Sequence, residues 1–261
     1  MRFFVCIGLL TFQGFATPST LRAAEDSTSR AAADAAKANR PRIVCVQRVR
    51  RDGQEAGSVR LIFDGAKTYE IQDDGLRWIT VYANDVVTLL DRQAQVRCEI
   101  QFAELMDLRD RTIQAGRSSP NPQTLGLDRQ PTFQNGRYQL RFGDENRSVQ
   151  YNVLAEKHPE PGLAEAYRRF ADTALCLSLA QRQTPIPPFA RFAIGQAIAK
   201  DGKTPKQVEI TINASSKPSH WTTQSDFVPF DKATEKDIKT FAGMQKLYRL
   251  VSYEQFTAGG R

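Results

Sequence analysis

Gln95-Val96-Arg97-Cys98-Glu99-Ile100-Gln101-Phe102 alternates polar and apolar residues without a break. Successive side chains of a strand point to opposite faces, so such alternation buries one face and wets the other. Ser58 to Phe63 nearly repeats the pattern, and so do Arg137 to Phe142, Val149 to Val153 and Val208 to Ile212. A parallel sheet covered on both sides reads instead as continuous apolar runs. The expected sheet is therefore antiparallel with one solvated face.

The punctuation between these segments agrees. Asp52-Gly53, Asp64-Gly65, Asp73-Asp74-Gly75, Ala83-Asn84-Asp85 and Asp91-Arg92-Gln93 mark turns. Asp-Gly and Asn-Asp pairs supply the backbone angles that tight hairpins need. A meander of about six strands is predicted between Ile43 and Phe102. No Asp-x-Asp-x-Asp-Gly loop with a distant Glu occurs, so these acids read as turn formers rather than calcium ligands.

Helices interrupt the sheet. Ala103 to Ala115 carries Leu105, Leu108 and Ile113, and Gly116 follows it. Leu163, Ala166, Tyr167, Phe170, Ala171, Ala174, Leu175 and Ser178 recur at spacings of three and four, on one stripe. Thr184 to Pro188 breaks that helix, and Phe189, Phe192, Ala193, Ala197 and Ile198 form the face of another. The two make an amphipathic hairpin whose apolar faces need a partner, and the dry face of the sheet is the expected one. A strand at Gln207–Ile212, an irregular strand near Phe227 and a short helix from Thr234, with Asp237 at the capping-box offset, complete the reading. The fold class is α+β: a curved antiparallel β-meander, an incomplete barrel, covered by the helix hairpin.

With 261 residues, 41% of them hydrophobic and 25% charged, the chain can bury a core and is neither wholly disordered nor a disulfide scaffold. No run of some 18 apolar residues occurs, so no permanent membrane span is expected. The N-terminus has another signature. Arg2 precedes an almost wholly apolar stretch, Phe3 to Phe12, and small residues Gly14 and Ala16 stand at the positions a signal peptidase requires. Residues 1–24 read as a signal peptide cleaved after Ala16 or near Ala24, and residues 25–41 as a polar linker or short helix. A single β-rich domain with helical insertions is expected over 42–256. The localisation is periplasmic or secreted. Removing residues 1–24 takes away Arg2 and Arg22, lowering the formal net charge from +7 to +5. In an exported protein that balance favours solubility or attraction to anionic envelope polymers, and no nucleic-acid partner is expected. Three cysteines remain, Cys45, Cys98 and Cys176. Either Cys45 pairs with Cys98 or all three are small buried hydrophobes.

Chemistry-bearing motifs are missing. His158 and His220 stand alone, without zinc-ligand spacing. There is no G-x-S-x-G and no Ser-x-x-Lys. Gly202-Lys203-Thr204 ends like a phosphate loop, but Ala197 stands where the first glycine belongs. No enzyme activity, cofactor or metal is expected. Arg60, Arg77, Arg97, Arg137 and Arg141 lie on strands and read as a solvated face balanced by Glu70 and Glu99, or as a basic stripe.

Tyr69-Glu70-Ile71-Gln72-Asp73-Asp74-Gly75-Leu76-Arg77-Trp78, followed by Asn84 to Asp91, resembles the stretch in which periplasmic lipoprotein carriers (LolA/LolB-like) place an Arg-Trp pair after a turn. The order of signal peptide, meander, helical interruption, further strands and late helix is similar to that family too. The resemblance implies an incomplete barrel lidded by helices over a greasy cavity. The Pro-rich approach to the second helix departs from that pattern and points to a diverged exported bacterial family.

Independently of the family, a sheet closed by an amphipathic hairpin either fills its concavity or leaves a dry cavity able to hold an acyl chain, each buried CH₂ contributing about 0.8 kcal/mol. The aromatic residues placed to line it are Phe63, Tyr69, Trp78, Tyr82, Phe102, Tyr138, Phe142 and Phe170. The expected function is non-enzymatic binding of an apolar ligand, a lipid or lipoprotein acyl chain, or a lipidated partner. The alternative is an envelope structural or protein-interaction module with a filled core and no ligand.

Protein recovered from an exporting bacterial host should begin between Thr17 and Asp26 when its N-terminus is sequenced. Soluble protein retaining Met1 would overturn export.

Overall fold

Asp52 and Gly53 both have positive φ, 51° and 83°, the geometry that lets a two-residue turn match the twist of its flanking strands. This turn joins β1 (Arg42–Arg51) to β2 (Gln54–Asp64). β3 (Lys67–Gln72), β4 (Trp78–Tyr82), β5 (Val86–Asp91) and β6 (Val96–Gln101) follow as successive antiparallel neighbours. The expected meander is therefore present. A computed structural model describes residues 40–72, 77–83, 85–181, 186–214 and 218–258. Residues 1–24, read as a signal peptide, nearly all of the 25–41 segment and the turn residues 73–76 and 84 lie outside the described residues. All described residues belong to one compact unit, Lys37–Arg261.

After β6 the chain forms α1 (Phe102–Arg117) and a single 3₁₀ turn at Pro122–Leu125. A second run of strands follows: β7 (Thr132–Gln134), β8 (Arg137–Gly143), β9 (Arg147–Lys157), β10 (Lys203–Ala214) and β11 (Ser219–Pro229). The helix hairpin α2 (Leu163–Ala180) and α3 (Phe189–Lys200) lies between β9 and β10 in sequence, as its periodicity predicts. The chain closes with α4 (Lys232–Leu247), the two-residue β12 (Arg249–Leu250) and α5 (Tyr253–Ala258).

All the strands join one open sheet, in the order β12-β6-β5-β4-β3-β2-β1-β11-β10-β9-β8-β7. Every pairing is antiparallel except β12 with β6. The seam between the two meanders is β1 against β11, running from Ile43 opposite Pro229 to Arg51 opposite Trp221.

One face of this sheet carries α2, α3 and α5. Under α2, Ile43, Cys45, Leu61, Phe63, Tyr82, Val87, Leu89, Cys98 and Ile100 form one core cluster. Under α3, Tyr138, Leu140, Phe142, Val149, Tyr151 and Val153 form another with Ala190, Ile194 and Ile198. On the opposite face the halves differ. β8 to β11 expose charged and polar side chains, including Arg137 paired with Glu209, and so does the end of β1 beside them, where Arg48 pairs with Asp226. The rest of β1 to β5 is largely covered. There Val44, Ile62, Tyr69, Ile71, Ile79, Val81 and Leu90 bury against Phe241 of α4. The single solvated face thus holds for one half of the sheet and fails for the other. The signal was the unbroken runs Leu61-Ile62-Phe63 and Val86 to Leu90, which strict alternation would not produce.

One further expectation is corrected, and of the two readings of the cysteines the structure shows the second, three buried and unpaired residues. α4 starts at Lys232, not Thr234: Asp231 is its cap, accepting from the Thr234 N–H at 2.8 Å and hydroxyl at 2.7 Å, while Asp237 pairs with Arg60. Cys45, Cys98 and Cys176 are free and buried. Cys45 on β1 and Cys98 on β6 stand five strand spacings apart, roughly 24 Å, far beyond disulfide reach. Burial pushes the Cys45 and Cys176 thiols up to about 12 and so keeps them protonated.

Ile62→Ala and Leu61→Ala should each cost about 2–5 kcal/mol in urea denaturation, because the two residues bury on opposite faces. On β9 the same test should split: Val153→Ala costly, Gln150→Ala under about 0.5 kcal/mol. A cheap Ile62→Ala would mean that α4 does not cover its face.

Candidate functional site

The register of β3, β4 and β5 sets Glu70, Thr80 and Leu89 in one cross-strand row facing α2. Trp78 stands on the same face one pair along β4, and Tyr82 on its other side. Above them pass the C-terminal turns of α2, with Ala174, Leu177 and Ser178, and then α5, with Tyr253 and Phe256. The Trp78 and Phe256 rings meet at 5.4 Å between centroids. These elements enclose a cleft of about 410 Å³.

The cleft is amphipathic. Trp78, Leu89, Leu177 and Phe256 supply apolar wall; Glu70, Thr80 and Gln181 supply hydrogen-bonding groups. Glu70 accepts a hydrogen bond from the Tyr82 hydroxyl. Burial raises the Glu70 carboxyl above the usual carboxylate range, and the Tyr82 hydrogen bond opposes the rise. Burial, followed by the charge of Glu70, pushes the Tyr82 hydroxyl well above its ordinary value. The pair therefore offers a carboxyl that takes up a proton readily and can also accept from a ligand donor.

Arg77 and Asp91 close the row at the Trp78 end. Arg77 donates to both Asp91 oxygens and lies over the Trp78 ring at 4.4 Å. Asp91 also accepts from the backbone N–H groups of Gln93 and Ala94. Burial disfavours its charge, yet Arg77 and these N–H groups outweigh it and hold the carboxyl below the usual range. The Arg-Trp pair quoted from the sequence is thus part of the frame of the cleft.

The eight aromatic residues expected to line one concavity are distributed over five places. Trp78 and Tyr82 line the cleft. Phe63 and Phe170 fill the centre of the sheet–helix interface, edge to face at 6.2 Å, with Tyr82 and Tyr167 packed on Phe170 at 5.1 and 6.1 Å. Phe102 borders a pocket of about 50 Å³ beside Tyr82 and Phe170. Tyr69 lies on the opposite face against Phe241, at 5.9 Å. Tyr138 and Phe142 belong to the core under α3, where the Tyr138 hydroxyl donates to Asp201 and Phe142 stacks on Tyr151 at 6.3 Å.

Glu70, Thr80, Gln181, Tyr253 and Phe256 were not singled out by sequence. Glu70 read as part of a solvated face, because its strand alternates Thr68 and Glu70 with Tyr69 and Ile71. That pattern names two faces without saying which is covered, and here both are. Of the five arginines read from the strands, Arg60, Arg77, Arg97 and Arg137 each pair with an acid, and Arg141 is exposed. Among the described residues no group of three or more His, Cys, Asp or Glu is placed to hold a metal ion, and no helix is long and apolar enough to cross a membrane.

No protein-family model matches the chain, and comparison with curated proteins finds no relative.

Because the folded state favours protonated Glu70, it binds more protons than the unfolded chain between the ordinary carboxylate value and the raised one. Stability contributed there falls as pH rises. Glu70→Gln keeps an acceptor for Tyr82 and removes the slope. The variant should match the parent near pH 4 and equal or exceed it near pH 7.5 in urea midpoint. A Gln variant less stable at the higher pH would place the carboxyl in solvent.

Proposed function

We propose that this is an exported, non-catalytic protein that binds an apolar ligand, or the acyl chain of a lipid or lipidated partner, in the cleft between β3–β5 and α2. The observation that carries the reading is the cleft itself. At about 410 Å³ it falls in the size range of small-molecule sites. It combines an aromatic and aliphatic wall, Trp78, Leu89, Leu177 and Phe256, with a larger polar share from Glu70, Gln72, Thr80, Ser178, Gln181 and Thr257, so it suits an amphipathic ligand. Export rests on Arg2, the apolar stretch to Phe12 and the Gly14–Ala16 pair. The resemblance to periplasmic lipoprotein carriers adds the ligand class.

A ligand would lay its apolar body along Trp78, Leu177 and Phe256 and direct a hydrogen-bond donor at Glu70. Burial of each methylene contributes about 0.8 kcal/mol, so roughly ten supply the ~8 kcal/mol of micromolar binding, with the cost of association to be met in addition. An alternative use, as an envelope interaction module without a ligand, is favoured by one observation: the centre of the interface is packed by Phe63, Tyr167 and Phe170 and is not hollow.

The two uses part on Ala174→Trp. Ala174 borders the cleft, so an indole there should occupy it and abolish saturable uptake of a fluorescent acyl probe, with the protein still folded. Native mass spectrometry of protein purified from its envelope should release fatty-acyl species. In a filled interior the same substitution overpacks, costing about 1–3 kcal/mol. Destabilisation of that size, with no probe uptake by the parent, would eliminate the ligand-binding reading.

A further inference from the structure

A second, smaller cavity lies beneath the α2–α3 hairpin, about 90 Å³ in volume. Its walls are apolar, with Val153 and Val208 from the strands and Ile194 and Ile198 from α3. It exists because the helices present small residues over it: Ala171 on α2, Gly195 and Ala199 on α3. Two features set it apart from a packing gap.

The first is Tyr151. Its side chain lines the cavity and is only 1% exposed, and its hydroxyl has no hydrogen-bond partner among the described residues. Native proteins seldom leave a buried hydroxyl unpaired, and such an orphan calls for a ligand or an ordered water. The second is charge. Arg168, Arg191 and Lys203 border the cavity and no carboxylate lines it. Arg168 is held by Glu165 and Asp172, the latter standing beside Gly195. Lys203 lies over the rings of Phe133 and Tyr138. Arg191 forms no ion pair among the described residues, and its charge acts on the Tyr151 and Tyr167 hydroxyls.

The geometry points to a binding site for a short-chain carboxylate, with its tail against Val153, Ile194 and Val208 and its anionic end accepting from the Tyr151 hydroxyl and the Arg191 guanidinium. A carboxylate satisfies both donors at once. A water could pair the hydroxyl but leaves the Arg191 guanidinium without an anion, and the apolar walls offer it little. The site is separate from the cleft over β3–β5 and stands whether or not that cleft takes a ligand.

Titration calorimetry of the purified protein with butyrate, hexanoate and octanoate, and with hexanol as the neutral control, tests it. Saturable carboxylate binding is expected, with hexanol at least about ten-fold weaker. Arg191→Gln should lose that preference, weakening hexanoate about ten-fold. Tyr151→Phe should weaken it several-fold while leaving thermal stability unchanged or higher, since it removes an unpaired hydroxyl. Ala174→Trp, which blocks the other cleft, should leave hexanoate binding intact. No saturable binding at about 10 mM, equal affinity for hexanol, or hexanoate affinity unchanged in Arg191→Gln would each overturn the site and leave water as the occupant. Arg191 is exposed, so its variant reads out even if Tyr151→Phe does not fold.

Discussion

The pairing of β1 with β11 makes one sheet out of two meanders. Residues some 180 positions apart in sequence lie side by side, Ile43 against Pro229 and Cys45 against Phe227. Without it β1–β6 and β7–β11 would each be an open sheet with an extra unpaired edge, and α2 would have no common surface to cover. Closing so long a loop carries an entropic cost, although that cost grows only slowly with length. The seam is reinforced at both ends. Beyond its far end the Asp52 N–H donates to the His220 carbonyl at 2.7 Å, and the His220 N–H donates back to the Asp52 carboxylate at 2.8 Å. At its near end the Arg42 N–H donates to Glu160 at 2.7 Å, just before α2 begins. In the middle, Gln47 donates to Ser225 across the seam and to the Tyr167 hydroxyl of α2. One amide thus ties both half-sheets to the helix that lies over them.

The two halves then meet water differently. β8–β11 are covered on one face, and their outer rows carry ion pairs exposed enough to contribute little each. β1–β5 are sandwiched between α2 on one side and α4 on the other, so consecutive residues such as Leu61, Ile62 and Phe63 are all buried. This asymmetry places the deepest core in the first meander. It also explains how a carboxyl such as Glu70 comes to be half-buried: in the middle of β3, covered on both faces, a polar side chain points under a helix whichever way it faces.

That asymmetry governs what could be read from the sequence. The meander, the hairpin helices and the strand segments were legible because each depends on local periodicity and on Asp-Gly chemistry, both of which survive in a single chain. The long-range seam was not, because nothing in Ile43–Arg51 names Trp221–Pro229 as its partner. Coverage by α4 was only faintly legible, in the apolar runs of β2 and β5. The position of the cleft was less legible still. Aromatic residues were the natural candidates for a lining, yet aromatics such as Phe63 and Phe170 are large enough to fill the space they border. Only Trp78 and Tyr82 of those eight touch the cleft.

The determinant of hollowness is instead the size of the helix residue opposite the strands. Along one row of α2, at spacings of four, stand Phe170, Ala174 and Ser178. Phe170 reaches Phe63 and Tyr82 and closes the interface. Ala174 and Ser178 do not reach the sheet, and the cleft opens there over Glu70 and Thr80. The second cavity follows the same rule, with Ala171 on α2 and Gly195 and Ala199 on α3. Small residues on an otherwise apolar helical stripe cost burial, since each forgoes the contacts a Leu or Phe would make with the sheet. Both hollows therefore lie where the helices hold back, and both carry a polar group, the half-buried Glu70 in one and the buried Tyr151 in the other. A stripe selected for packing alone would have filled those gaps with larger side chains and would have no reason to keep a carboxyl or an unpaired hydroxyl at their base.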